Sequence, residues 1–197
     1  PLLDGANVVY DGVHFPGLGI ANPTPAAARA NIAELHAAGA SFLKIYEMVT
    51  PEVFVAIVDE ARKRNLPIDG HVPLSMRARD VATQVQSLEH LRNYEMDCVS
   101  DPEVWLAARQ AELANVNNEP GNVLRSRLHS LQRLTAIANE DPEVCADTTE
   151  ALKATITVPT LRMNAMDLRE PFMRPDFEEA LKLIPGAIAQ DWRDAEA

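Results

Sequence analysis

Three side chains stand where their types and spacing suit chemistry: Lys44 in the short apolar run 41–46, His71 near the end of 66–72, and His90 near the end of 87–91. They lie 27 and 19 residues apart, each about one βα unit. Parallel βα folds gather functional groups at the C-terminal ends of successive strands, so three consecutive strands would bring these residues to a common face. Each alone has a plainer reading: a lysine in a short strand is a surface residue, and a lone histidine is a packing group. Their joint placement at βα spacing favours a common functional site.

The elements that must position them follow from local signals. Thr24-Pro25 is an N-cap and first-turn proline, Ala28, Ile32 and Leu35 share one face, and Gly39 supplies a stop, which predicts a helix over 25–38. The run 41–46 is aromatic and β-branched, a buried strand in which Lys44 is the odd member. Thr50-Pro51-Glu52 opens a second helix with Phe54, Ile57, Val58 and Ala61 on its apolar face, and Arg62, Lys63 and Arg64 form a solvated end where the macrodipole favours cations. A strand at 66–72, a helix at 75–84 and a strand at 87–91 complete the alternation.

At Asp101 the pattern changes. Asp101-Pro102-Glu103 and Asp141-Pro142-Glu143 are both cap-proline-acid starts, with no strand candidate between them, and the loop 115–122 separates two helices. A fourth strand is expected in 154–161, and a short helix at 176–183 precedes an acidic tail. The reading is an α/β chain in three parts: βα units over 1–100, a helical insertion over 101–153, and a further strand and terminal helix over 154–197.

Composition bounds the partners. With 18 Lys and Arg against 29 Asp and Glu in 197 residues, the net charge of −11 repels phosphate, which argues against nucleic acid and anionic membrane as partners. No apolar run reaches the roughly 18 residues of a membrane-spanning helix, so a soluble chain is expected, cytoplasmic or exported after signal removal. Cys98 and Cys145 allow at most one bridge, stand outside close metal-ligand spacing, and read as buried or idle thiols. The chain opens on Pro1 without the features of a signal peptide, so an upstream segment is expected.

The motifs F-L-K-I-Y at 42–46, G-H-V-P at 70–73 and S-L-E-H-L at 87–91, preceded by A-A-G-A-S-F at 37–42, resemble the imidazolonepropionase-like, prolidase-like branch of the amidohydrolase superfamily. T-V-P-T-L at 157–161 resembles a later strand of the same barrel. The resemblance implies the middle strands of a partial (β/α)8 TIM barrel and hydrolysis of an amide-type C–N bond in a dipeptide, N-acyl amino acid or cyclic amide. It implies a divalent metal, zinc foremost and two per complete site. Lys44 is then a carboxylated, metal-bridging group, and His71 and His90 are metal ligands. Burial beside cations favours the neutral amine, the form that adds carbon dioxide. The His-x-His pair of the family's first strand is absent from the chain, and its last-strand aspartate has no convincing counterpart. Three of six expected groups are therefore present.

Tyr46, two residues past Lys44, is a candidate to reach substrate, as is His14 in the loop V-H-F-P-G. His36 and His129 read as surface or packing residues, and Glu89 points to the face opposite His90 if its strand is regular. Three functions stay open: a metal-dependent hydrolase segment, an incomplete barrel acting as an interaction module, and an unrelated α/β domain with these residues structural. An incomplete barrel also predicts a homo-oligomer or the missing remainder of the barrel as partner.

Overall fold

The structure is a computed structural model that describes residues 2–4, 19–114, 120–160, 179 and 181–194. Residues Pro1–Pro159 and Thr160–Ala197 form two separate units. The second contains a helix at Gly186–Asp194; half of the helix expected at 176–183, residues 176–178 and 180, lies outside the described residues.

In the first unit each strand is three residues long: β1 Leu2–Asp4, β2 Gly19–Ala21, β3 Leu43–Ile45, β4 Ile68–Gly70, β5 Ser87–Glu89 and β6 Ile156–Val158. All pair in parallel in the order β2-β1-β3-β4-β5-β6. The four expected strands are present as β3 to β6, each added to the same edge, which is the winding of part of a (β/α)8 barrel. The sequence reading missed β1 and β2, which lack the alternating or β-branched run that marks a strand.

Helix α1, Pro25–Ala37, begins where Thr24 Oγ1 accepts the Ala27 N–H at 3.1 Å. Helix α2, Pro51–Lys63, repeats the device with Thr50 and buries Val53, Phe54, Ile57, Val58 and Ala61. Both pack with Leu43, Ile45, Ile68 and Leu88 in one apolar core on one face of the sheet. Each such side chain, fully removed from water, contributes about 1.5 to 3 kcal/mol. Helix α3 is shorter than expected, Ala78–Ala82, and the buried Asp97 carboxylate accepts its first N–H, from Ala78.

Within 101–153 the described residues form α4 Pro102–Ala114, α5 Gly121–Leu128, a π-helical turn His129–Arg133 continuing into α6 Leu134–Ala138, and α7 Pro142–Leu152, and most of the expected loop 115–122 lies outside them. Leu74, Met96, Val99, Leu124, Leu128 and Ala136 form a second core beneath it. The two cysteines are not idle thiols: Cys98 and Cys145 are joined in a disulfide across 47 residues. The bridge ties α7 to the segment after β5, beside the Asp141 N–H bond to Cys98 O at 2.7 Å and the Val99–Glu140 bridge. Among the described residues no helix is long and apolar enough to cross a membrane.

Candidate metal centre

Strand alternation decides which groups share a face. Leu43, Ile45, Ile68 and Leu88 point into the helix-covered core, so the residues between them, Lys44, Asp69, Ser87 and Glu89, line the opposite face in register. Ser87 Oγ donates to Asp69 Oδ1 at 2.7 Å, and the Lys44 ammonium pairs with the Glu89 carboxylate.

Gly70 closes β4 immediately before His71. Its φ is +142°, and a Cβ there would lie 2.2 Å from Ile45 O. Only glycine lets the chain pass this close to β3 and allows the His71 N–H to reach Ile45 O at 3.2 Å. At the end of β5 the backbone turns left-handed, with φ +68° at His90 and +49° at Leu91, while the His90 N–H donates to Val158 O at 2.7 Å. This turn defeats the expected alternation: Glu89 and His90 reach the same site instead of opposite faces, and their Oε2 and Nε2 lie 3.5 Å apart.

His71, Glu89 and His90 thus each offer a ligand atom, all within 4.8 Å of one another. The His71 and His90 rings meet edge to face at 4.8 Å, and the Tyr46 ring lies 4.6 Å from His71. His71 is only 3% exposed, and its Nε2 is buried without a hydrogen-bond partner. Burial, and second the nearby His71, push the His90 imidazole below its ordinary range toward the neutral, ligating form. Two imidazoles and a carboxylate are a donor set suited to zinc and related divalent ions, and the bare Nε2 is the atom such an ion would satisfy.

Behind His71 lies Glu47, fully buried. Its carboxylate accepts from His71 Nδ1 and His129 Nε2, each at 2.7 Å, and from Arg125 Nε and Nη2 at 2.7 and 2.8 Å. Burial alone would raise this carboxyl, but the hydrogen bonds from His129, His71 and Arg125 and the Arg125 charge outweigh it and hold it well below the ordinary range.

Of the residues singled out by sequence, His71 and His90 come together, with Lys44 joined to the cluster through Glu89 and Tyr46 packed on His71. Lys44 is not the enclosed amine expected: its side chain is part exposed and ion-paired with Glu89. His14 lies outside the described residues. His36 is exposed, whereas His129 faces Glu47 instead of serving as a surface or packing residue. Glu47, Glu89, Arg125 and His129 were missed as site residues. Arg125 and His129 are four apart on one helical face, but no sequence signal links that face to Glu47.

Among solved structures, bottromycin amidohydrolase aligns at 17% identity with a TM-score of 0.42, over 81% of this chain and 45% of that one. The chain spans less than half the length of that protein. No family model and no curated protein sequence matches.

Proposed function

We propose that the chain is the metal-binding part of a hydrolase that cleaves an amide-type C–N bond in a small molecule such as a dipeptide, N-acyl amino acid or cyclic amide. The observation that carries this reading is the buried, unpartnered Nε2 of His71 beside Glu89 and His90. Those three side chains would hold a divalent ion, zinc foremost. Such an ion supplies a polarised carbonyl and a water acidified toward a pKa of about 7.

The protein's own groups do the rest. Glu89 pairs with Lys44, and on this reading Lys44 would carry a carbamate only with a cation and carbon dioxide present. Tyr46 packs its ring against His71 and on this reading is the side chain nearest the site that would meet substrate. The amide class rests on the resemblance of the F-L-K-I-Y, G-H-V-P and S-L-E-H-L motifs.

A second reading, a barrel segment that does not turn over substrate by itself, is favoured by β6. Ile156 and Val158 share the site face with Ser87 and Glu89, yet are 56% and 48% exposed. Further strands or a second copy of the chain would cover them. The test is zinc titration of the chain and of His71→Ala/His90→Ala, followed by an assay on dipeptides and N-acyl amino acids. Saturable binding lost in the double variant and hydrolysis that follows zinc support the first reading. Binding without hydrolysis supports the second, and binding unchanged in the double variant overturns both site assignments.

A further inference from the structure

The Glu47 cluster lies outside the three candidate ligands, and its parts come from places far apart in the chain. Glu47 follows β3, His71 follows β4, and Arg125 and His129 come from α5 and the π-helical turn, 78 and 82 residues beyond Glu47. Four donor atoms converge on two carboxylate oxygens: Oε1 receives His71 Nδ1 and Arg125 Nη2, and Oε2 receives His129 Nε2 and Arg125 Nε. The main chain is fixed as well, because the Leu74 N–H donates to Glu47 O at 2.8 Å. On its other side His71 meets Tyr46, over whose ring Arg125 Cζ stands at 5.6 Å.

A carboxylate facing an arginine fork only accepts hydrogen bonds, so Nδ1 of His71 must donate. In the neutral ring this leaves Nε2 as the lone-pair atom, and Nε2 is the buried nitrogen without a partner. Ring orientation and tautomer are therefore both set from behind. A helix that lapses into a π turn at the residue that reaches the site, His129, also fits a segment shaped for function.

We propose that Glu47 is a positioning residue for the metal centre, and that the helical insertion serves the site by supplying Arg125 and His129, which hold Glu47 against His71. The proposal rests on the metal-site reading. Glu47 touches neither metal nor substrate; it acts through the His71 ring.

Two readouts test it. In the metal-free protein, long-range proton–nitrogen NMR of the His71 ring should show the Nδ1–H tautomer, replaced by Nε2–H or a mixture in Glu47→Gln, whose amide can donate to Nδ1. In a cobalt(II) titration followed by its visible absorption, Glu47→Gln should weaken binding about 10- to 100-fold, the cost typical of losing a partner that orients a ligand. The circular dichroism of the variant should match wild type. If Glu47→Gln does not fold, His129→Gln carries the cobalt readout, with weaker binding expected and the His71 Nδ1–H tautomer retained because the Glu47 carboxylate is intact; unchanged cobalt affinity there overturns the part given to the insertion. Unchanged tautomer and unchanged cobalt affinity overturn the positioning role while leaving the metal site standing. A wild-type chain that binds no cobalt overturns the metal reading and, with it, this role of the insertion.

Discussion

Replacing Gly70 with alanine should be among the costliest single-methyl additions in the molecule. The new Cβ would lie 2.2 Å from Ile45 O, 2.9 Å from Ile45 N and 3.0 Å from Ile45 C. All three are backbone atoms of the neighbouring strand, so no side chain can swing aside. Strands β3 and β4 must separate by about an ångström, at the point where the His71 N–H reaches Ile45 O at 3.2 Å. An unfavourable backbone conformation costs about 1 to 3 kcal/mol, overpacking adds about 1 to 3, and the weakened hydrogen bond about 1. The sum is about 3 to 7 kcal/mol, a large share of the 5 to 15 kcal/mol that holds a typical domain together.

Gly39→Ala is the control, because Gly39 also has a positive φ, +88°, but nothing lies within 4 Å of a Cβ there. Urea denaturation of both variants, read by circular dichroism, separates steric overlap from backbone conformation alone. Gly70→Ala should lose several kcal/mol and Gly39→Ala about 1. A loss below 1 kcal/mol at Gly70, or equal losses at the two positions, refutes the close approach of β3 and β4 that positions His71.

Reducing the Cys98–Cys145 disulfide, or replacing both cysteines with serine, should lower stability by up to about 4 kcal/mol by the loop-entropy argument for a 47-residue separation; an unchanged melting temperature contradicts the bridge. Burial pushes the Asp97 carboxyl up from 3.8 to about 6, so between those values the folded chain binds more protons at this site than the unfolded one. Stability from this group is therefore fully present at low pH and is lost as pH rises toward 6. Wild type should gain on the order of 2 to 3 kcal/mol relative to Asp97→Asn when urea unfolding is moved from pH 7.5 to pH 4, and a pH-independent difference refutes the burial. Lys44→Met removes the cation paired with Glu89, so zinc should bind the variant without carbamate formation; a carbon-13 carbamate signal from bicarbonate that persists in Lys44→Met shows another lysine carries it.

The α/β alternation was legible because its punctuation is local. Thr24-Pro25, Thr50-Pro51 and Asp141-Pro142 each fix a helix start within one turn, and the strands between them are short apolar runs. Half the candidate site was legible for the same reason, since Lys44, His71 and His90 recur once per βα unit. The other half depends on departures from regularity or on distant pairing. The positive φ at His90 puts Glu89 into the cluster, whereas strand periodicity placed it on the opposite face. Glu47 reads as one more polar residue in a loop until α5 and the π-helical turn bring Arg125 and His129 against it from across the sequence. The disulfide was illegible likewise: the spacing of Cys98 and Cys145 allows a bridge, and only the docking of α7 beside the segment after β5 brings them together.

Anomalous scattering from a zinc-soaked crystal, with data collected above and below the zinc absorption edge, tests the metal centre most directly. The expected result is a peak about 2.0 to 2.2 Å from His71 Nε2 and from a ring nitrogen of His90, with a carboxylate oxygen of Glu89 or of a carboxylated Lys44 completing the set. A crystal in which zinc binds elsewhere and His71 Nε2 faces no ion at saturating metal would contradict the account.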